Sequence, residues 1–360
     1  AHIQHIQGRK LMLKSLATIA GLSLAVAAGT ADADDIQPHQ FKVLGTWSSL
    51  SQFKNYEAPF WTETLSANTD GQMSGEIVSI SVMGLKGYET LNLLQNGVFD
   101  MGNMVVAYVT GSTPEMEGID LAGVATDMAS ARANADAYRD VINARLAEQN
   151  LIMLAHYPFG RQFVFCKDEF DGLAGLEGRK IRTSSATHAD FLSGAGATNV
   201  TIAFGEVVPA IQNGVVDCAV TGAIPAYDAS WHEVINYVGE LPINMGMAGL
   251  YANLSKWQSL DDASRAALAE QISNWEDTTW TNYVTEENEG LACLTGDDAG
   301  CSKGDAVGMS LIPMTEEDSA QAKGILQSHV FPGWLERCGD ADCASPWNAT
   351  IGAANGLSIQ

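Results

Sequence analysis

A seven-residue pattern occurs twice in this chain. Leu94-Gln-Asn-Gly-Val-Phe-Asp100 returns as Ile211-Gln-Asn-Gly-Val-Val-Asp217, with five identities in seven. Each copy follows a helical pattern and precedes an apolar run. The Gly suits the left-handed position that ends a helix, and the Val opens the next strand. Two equivalent helix-to-strand turns predict two related α/β lobes. Where two such lobes exchange chain, a cleft lies between them, and clefts at such junctions take small molecules.

The 360 residues are enough for two lobes with a sizeable core. Periodicity predicts strands at 40–46, 76–82, 99–106, 121–125, 162–166 and 247–252, with helices over 52–68, 87–95, 130–148, 260–288 and 315–337. In the long helix, Leu268, Ile272, Trp275, Thr279 and Tyr283 form an inward stripe. The fold class expected is α/β and bilobal. Residues 34–158 are assigned to lobe I, with the chain crossing back over roughly 245–290. Residues 159–244 are assigned to lobe II, with parts of 290–340, and 341–360 form a tail that looks loose after Asn348.

Function concentrates in the stretch 176–217. Gly178-Arg179-Lys180-Ile181-Arg182-Thr183-Ser184-Ser185 reads as a short strand followed by a helix, with Ser184 or Ser185 as its N-cap. Arg182 then stands at the carboxyl end of a strand, where open α/β sheets bind ligands. A guanidinium beside free helical N–H groups is a receptor for a carboxylate.

Acidic residues outnumber basic ones 43 to 19, for a formal charge of −24. Such a surface repels phosphate backbones and anionic lipid, which argues against nucleic-acid or peripheral membrane binding. Residues 1–33 read as an upstream extension and a signal peptide. Met12-Leu13-Lys14, an apolar run over 16–28 and Ala31-Asp32-Ala33 supply its three regions, with cleavage before Asp34, so export to the periplasm is expected. Six cysteines suit an oxidising compartment. Cys293 with Cys301 and Cys338 with Cys343 make the simplest local bridges, crosswise pairing being the alternative, while Cys166 and Cys218 either pair or stay as buried thiols.

Several chemistries lack their motifs. The chain has no G-x-S-x-G, H-E-x-x-H, Walker A or G-x-G-x-x-G pattern. His156, His188 and His232 read as structural histidines. Asp297, Asp298 and Asp305, with Asp340 and Asp342, read as solvated acidic loops, because their spacing fits no calcium loop. Neither a cofactor nor a metal is called for.

With these residues laid out, the chain resembles the solute-binding proteins of TRAP transporters, the DctP type, from Phe41 to about Leu335. The resemblance is carried by Leu176-x-Gly178-x-Lys180-Ile181-Arg182, by Phe204-Gly205-Glu206-Val207 and by both Gln-Asn-Gly-Val-x-Asp copies. It implies a bilobal fold that closes on a ligand and delivers it to a membrane permease. It implies that Arg182 forms the salt bridge to the ligand carboxylate, that Arg161 is a second arginine for the same group, and that Phe204 packs beneath the ligand. Thr221 falls where other members place Asn or Trp. Trp47, Tyr88, Val105, Tyr108 and Trp231 would line an apolar, aromatic pocket. The expectation is a monomeric receptor, not an enzyme, for a small monocarboxylate such as an aromatic acid or a 2-oxo acid. The alternatives are a ligand-sensing periplasmic subunit and a periplasmic enzyme acting on an organic acid.

Overall fold

The computed structural model describes residues 36–339 and 341–360. The segment read as a signal peptide lies outside the described residues. The strands are β1 (His39–Gly45), β2 (Met73–Ser79), β3 (Met101–Val105), β4 (Leu151–Pro158), β5 (Gln162–Cys166), β6 (Lys180–Thr183), β7 (Thr198–Thr201), β8 (Cys218–Gly222), β9 (Tyr237–Gly239), β10 (Met247–Asn253) and β11 (Ser310–Ile312). They form two sheets, ordered β2-β1-β3-β10-β4 and β11-β9-β5-β8-β6-β7.

The two sheets are built alike. In the first, β1 runs parallel to β2 and β3, and β10 closes antiparallel on β3. In the second, β6 runs parallel to β7 and β8, and β5 closes antiparallel on β8. The chain therefore crosses to the second sheet between β4 and β5 and returns between β9 and β10.

The repeated heptad sits at the same place in both units. It ends the helices Thr90–Gln95 and Val207–Gln212, and Gly97 and Gly214 share a φ of +68°. Without a Cβ, glycine meets no steric penalty there. Asn96 and Asn213 each return a side-chain N–H to the carbonyl four residues earlier. Asp100 exchanges two hydrogen bonds with the backbone of Lys42, and Asp217 does the same with Lys180. Each Asp thereby ties the start of the third strand to the first strand of its unit.

The helix Asp262–Thr295 runs 34 residues, about 50 Å at 1.5 Å per residue. Trp275 and Trp280 donate their indole N–H groups to the carbonyls of Tyr56 and His156 on the first lobe. Farther along, Gly290 packs closely on Ile224, in the helix Ala223–Asp228 that follows β8. Disulfides join Cys166 to Cys218, Cys293 to Cys301 and Cys338 to Cys343. The first of these links the paired strands β5 and β8. Among the described residues, no helix is long and apolar enough to cross a membrane.

Two expectations need correction. No strand forms at 121–125: Leu121, Ala122 and Ala125 are buried, but Gly123 takes a φ of +87° and the segment turns. Burial alone had mimicked a strand there. The tail is also not loose. It winds through Ala344–Trp347, Asn348–Gly352 and Ala353–Asn355, with Trp347 and Ile351 buried one turn apart. Trp347 packs on Phe331 and Trp334 and donates to the Gly118 carbonyl.

Candidate ligand site

A cavity of about 580 Å³, its mouth included, lies at the carboxyl ends of strands from both sheets. Trp47 follows β1, and Val105 to Tyr108 continue from β3. From the second sheet come Arg182 on β6, Phe204 just beyond β7 and Thr221 on β8, with Phe159 and Asn244 from the two crossings.

Arg182 is only 1% exposed. Its Nε donates to the Ile202 carbonyl at 2.8 Å, Nη1 to the Val220 carbonyl at 2.9 Å and Nη2 to Tyr108 Oη at 3.1 Å. All three partners are uncharged. A guanidinium carries five N–H donors, so one remains on each terminal nitrogen, the arrangement a carboxylate accepts as a fork. A buried cation held only by neutral groups is costly until an anion joins it.

Tyr108 Oη also accepts from the backbone N–H of Phe204 at 2.9 Å. With two bonds accepted, the phenol still has its own proton to give. Burial raises its pKa, so the proton stays on despite the adjacent guanidinium. Trp47 packs within 5.5 Å of the Tyr108 ring centre and 5.4 Å of Phe204, which joins the two lobes in one aromatic wall.

Of the expected residues, Arg182, Phe204, Thr221, Trp47, Val105 and Tyr108 come together around the cavity. Three others are placed elsewhere. Arg161 pairs with Glu287 of the long helix, Nε to Oε2 at 3.2 Å, and covers the Phe163 ring. Tyr88 is 37% exposed and stacks on the Tyr108 ring at 4.4 Å. Trp231 is fully buried and stacks on Phe204 at 5.6 Å, outside the lining. Both aromatics support lining residues and do not themselves face the cavity.

Several polar lining residues are not marked by the sequence, among them Asp120, Gln162, His188 and Asn244. His188, expected as a structural histidine, lines the cavity. Its one signal was its place in the helix Ala186–Gly194, directly after the Arg182 strand. Asn244 Nδ2 donates to Asp120 Oδ2 at 2.8 Å, and Asn244 Oδ1 lies 2.7 Å from His188 Nε2. Burial, with a smaller push from Arg182, lowers the His188 pKa to about 4, whereas burial raises that of Asp120 to about 8 against backbone N–H groups of 245–247.

Among the described residues, one other cluster has metal-ligand chemistry: Asp136, His156 and Glu276. There His156 Nε2 faces Asp136 at 3.0 Å and Nδ1 faces Glu276 at 3.2 Å, so its two opposite nitrogens point at different carboxylates. Arg139 also bonds Glu276. The group is an ion-pair network that ties the long helix to β4, and one metal ion cannot take both ring nitrogens.

Comparison with known proteins agrees with this architecture. The model for bacterial extracellular solute-binding protein family 7, DctP, matches residues 44–330. A solute-binding protein of Chromohalobacter salexigens is 28% identical over 128 residues, 35% of this chain and 38% of that relative's length. An extracytoplasmic solute receptor of Bordetella pertussis that binds pyroglutamic acid superposes with a TM-score of 0.71 at 20% identity, over 83% of this chain and 99% of that one. A TRAP periplasmic solute-binding protein of Desulfovibrio salexigens, with bound orotic acid, gives 0.77 at 16% identity, over 87% and 99%. The family is one of receptors, and its model spans most of the chain. The chain therefore belongs to the bacterial extracellular solute-binding protein family 7, the DctP family.

Proposed function

We propose that this protein captures a small organic monocarboxylate in the periplasm and delivers it to the membrane permease of a TRAP transporter. The observation that carries this reading is Arg182, a buried cation whose protein partners are all neutral, set in the wall of a cavity between two lobes. The ligand carboxylate takes the two remaining N–H groups of the fork, and Tyr108 donates a third hydrogen bond. Trp47, Phe159 and Phe204 cover the ligand's apolar faces, and Thr221 borders it from β8.

Because the site draws on both lobes, a ligand touching both binds the closed form more tightly than the open one. Only such differential affinity shifts the open–closed balance. The receptor acts as a monomer in this reading, and Arg161 contributes to the frame and not to the ligand. The aromatic wall suits a compact body with flat or short apolar faces, which admits aromatic acids and short-chain acids alike. The pyroglutamic and orotic acids carried by the compared receptors belong in the first test panel.

Thermal-shift screening against aromatic, aliphatic, hydroxy, oxo and cyclic-amide acids tests the proposal, since any ligand that prefers the native state raises the melting temperature. A saturable shift from at least one monocarboxylate, absent with its methyl ester, is expected. A protein that responds equally to acid and ester has no carboxylate clamp.

A further inference from the structure

Asn244 organises a second polar group in the same cavity wall. Its amide nitrogen donates to the Asp120 carbonyl at 3.1 Å as well as to Oδ2. A backbone carbonyl can only accept, so the amide is fixed with nitrogen toward Asp120 and oxygen toward His188. That oxygen also only accepts, so His188 Nε2 at 2.7 Å must carry the proton.

His188 is 2% exposed and is neutral at ordinary pH. With the proton on Nε2, Nδ1 is a bare acceptor, and it is buried without a hydrogen-bond partner. A buried acceptor left without a donor is costly. The residue shares the cavity lining with Arg182 and lies near enough for the guanidinium to lower its proton affinity.

We infer that the ligand, besides the carboxylate taken by Arg182, carries an N–H or O–H group that His188 Nδ1 accepts. Asn244 and Asp120 are positioning residues that hold the imidazole in the Nε2–H form. The inference rests on the carboxylate reading above and narrows its substrate class. Hydroxy acids and lactam carboxylates fit. Oxo acids and lactone carboxylates of the same outline present an acceptor to an acceptor, which reverses the sequence-based preference for a 2-oxo acid.

Matched pairs test it: a 2-hydroxy acid, both enantiomers, against the 2-oxo acid of the same chain length, and a lactam carboxylate against its lactone. Calorimetry on the wild-type protein is expected to favour the donor-bearing member by at least tenfold in one pair. In His188→Leu that ratio is expected to fall below threefold, while the acceptor-bearing member keeps its affinity. Nitrogen-15 spectra of histidine-labelled protein provide a reading that needs no variant: Nδ1 resonates as unprotonated in the free protein and shifts on binding the donor-bearing member. Equal affinity within every pair, or a preference for the oxo and lactone members, overturns the inference and leaves the carboxylate reading intact. Binding of neither member of any pair overturns the inference where another acid of the screening panel binds, and the carboxylate reading itself where none does.

Discussion

Tyr108, just after β3, and Arg182, on β6, are joined across the cleft by a 3.1 Å hydrogen bond from Nη2 to the phenol oxygen. The same oxygen takes the backbone N–H of Phe204. One hydroxyl thus ties the first lobe to two parts of the second that border the cavity, and in the proposed function this link couples anion binding to closure. Tyr108→Phe leaves both donors without their acceptor and removes the proton offered to the carboxylate. Its ligand affinity is expected to fall about tenfold, roughly 1.4 kcal/mol. Calorimetry gives the loss, and small-angle scattering should show a smaller ligand-induced compaction.

Arg161 provides a contrast. Its guanidinium is taken up by Glu287 of the long helix, and its backbone N–H bonds the same carboxylate. Arg161→Ala should therefore leave the dissociation constant within about threefold of wild type. Because Glu287 is buried, the cost falls on stability, with a lower melting temperature. A tenfold loss of affinity in this variant would return Arg161 to the ligand.

His188 predicts a pH dependence with a definite sign. Its pKa lies near 4 in the folded protein against 6.5 for the free side chain, so between these values the unfolded chain binds a proton that the native state does not. The contribution to stability is present above pH 6.5 and is lost as pH falls toward 4, by about 3 kcal/mol at most. Denaturant titrations of wild type and His188→Gln at several pH values should show wild type losing stability relative to the variant across that window. Parallel curves would mean that the imidazole is not held neutral.

Much of this was legible in local sequence. The twin Gln-Asn-Gly-Val-x-Asp segments foretold two like units, because a helix end, a left-handed Gly and a strand start are set within seven residues. Arg182 was readable from its place at the end of a strand before a helix, whereas Phe204 was marked only by the family resemblance; both line the cavity. What escaped depends on partners far off in the chain. Glu287 meets Arg161 from 126 residues away, and Asn244 meets His188 from 56. No local pattern announces either meeting. The strand expected at 121–125 failed because apolar residues show that a segment is buried and not its shape, and the tail expected to be loose is anchored by Trp347, whose partner Gly118 lies 229 residues away.

The central claim is that Arg182 grips the ligand's carboxylate. Isothermal titration of wild type and a folded Arg182→Ala variant, with one monocarboxylate found by thermal shift, tests it most directly. At least a tenfold weakening is predicted, since a charge-assisted bidentate contact is lost. An unchanged dissociation constant in the variant would contradict the account.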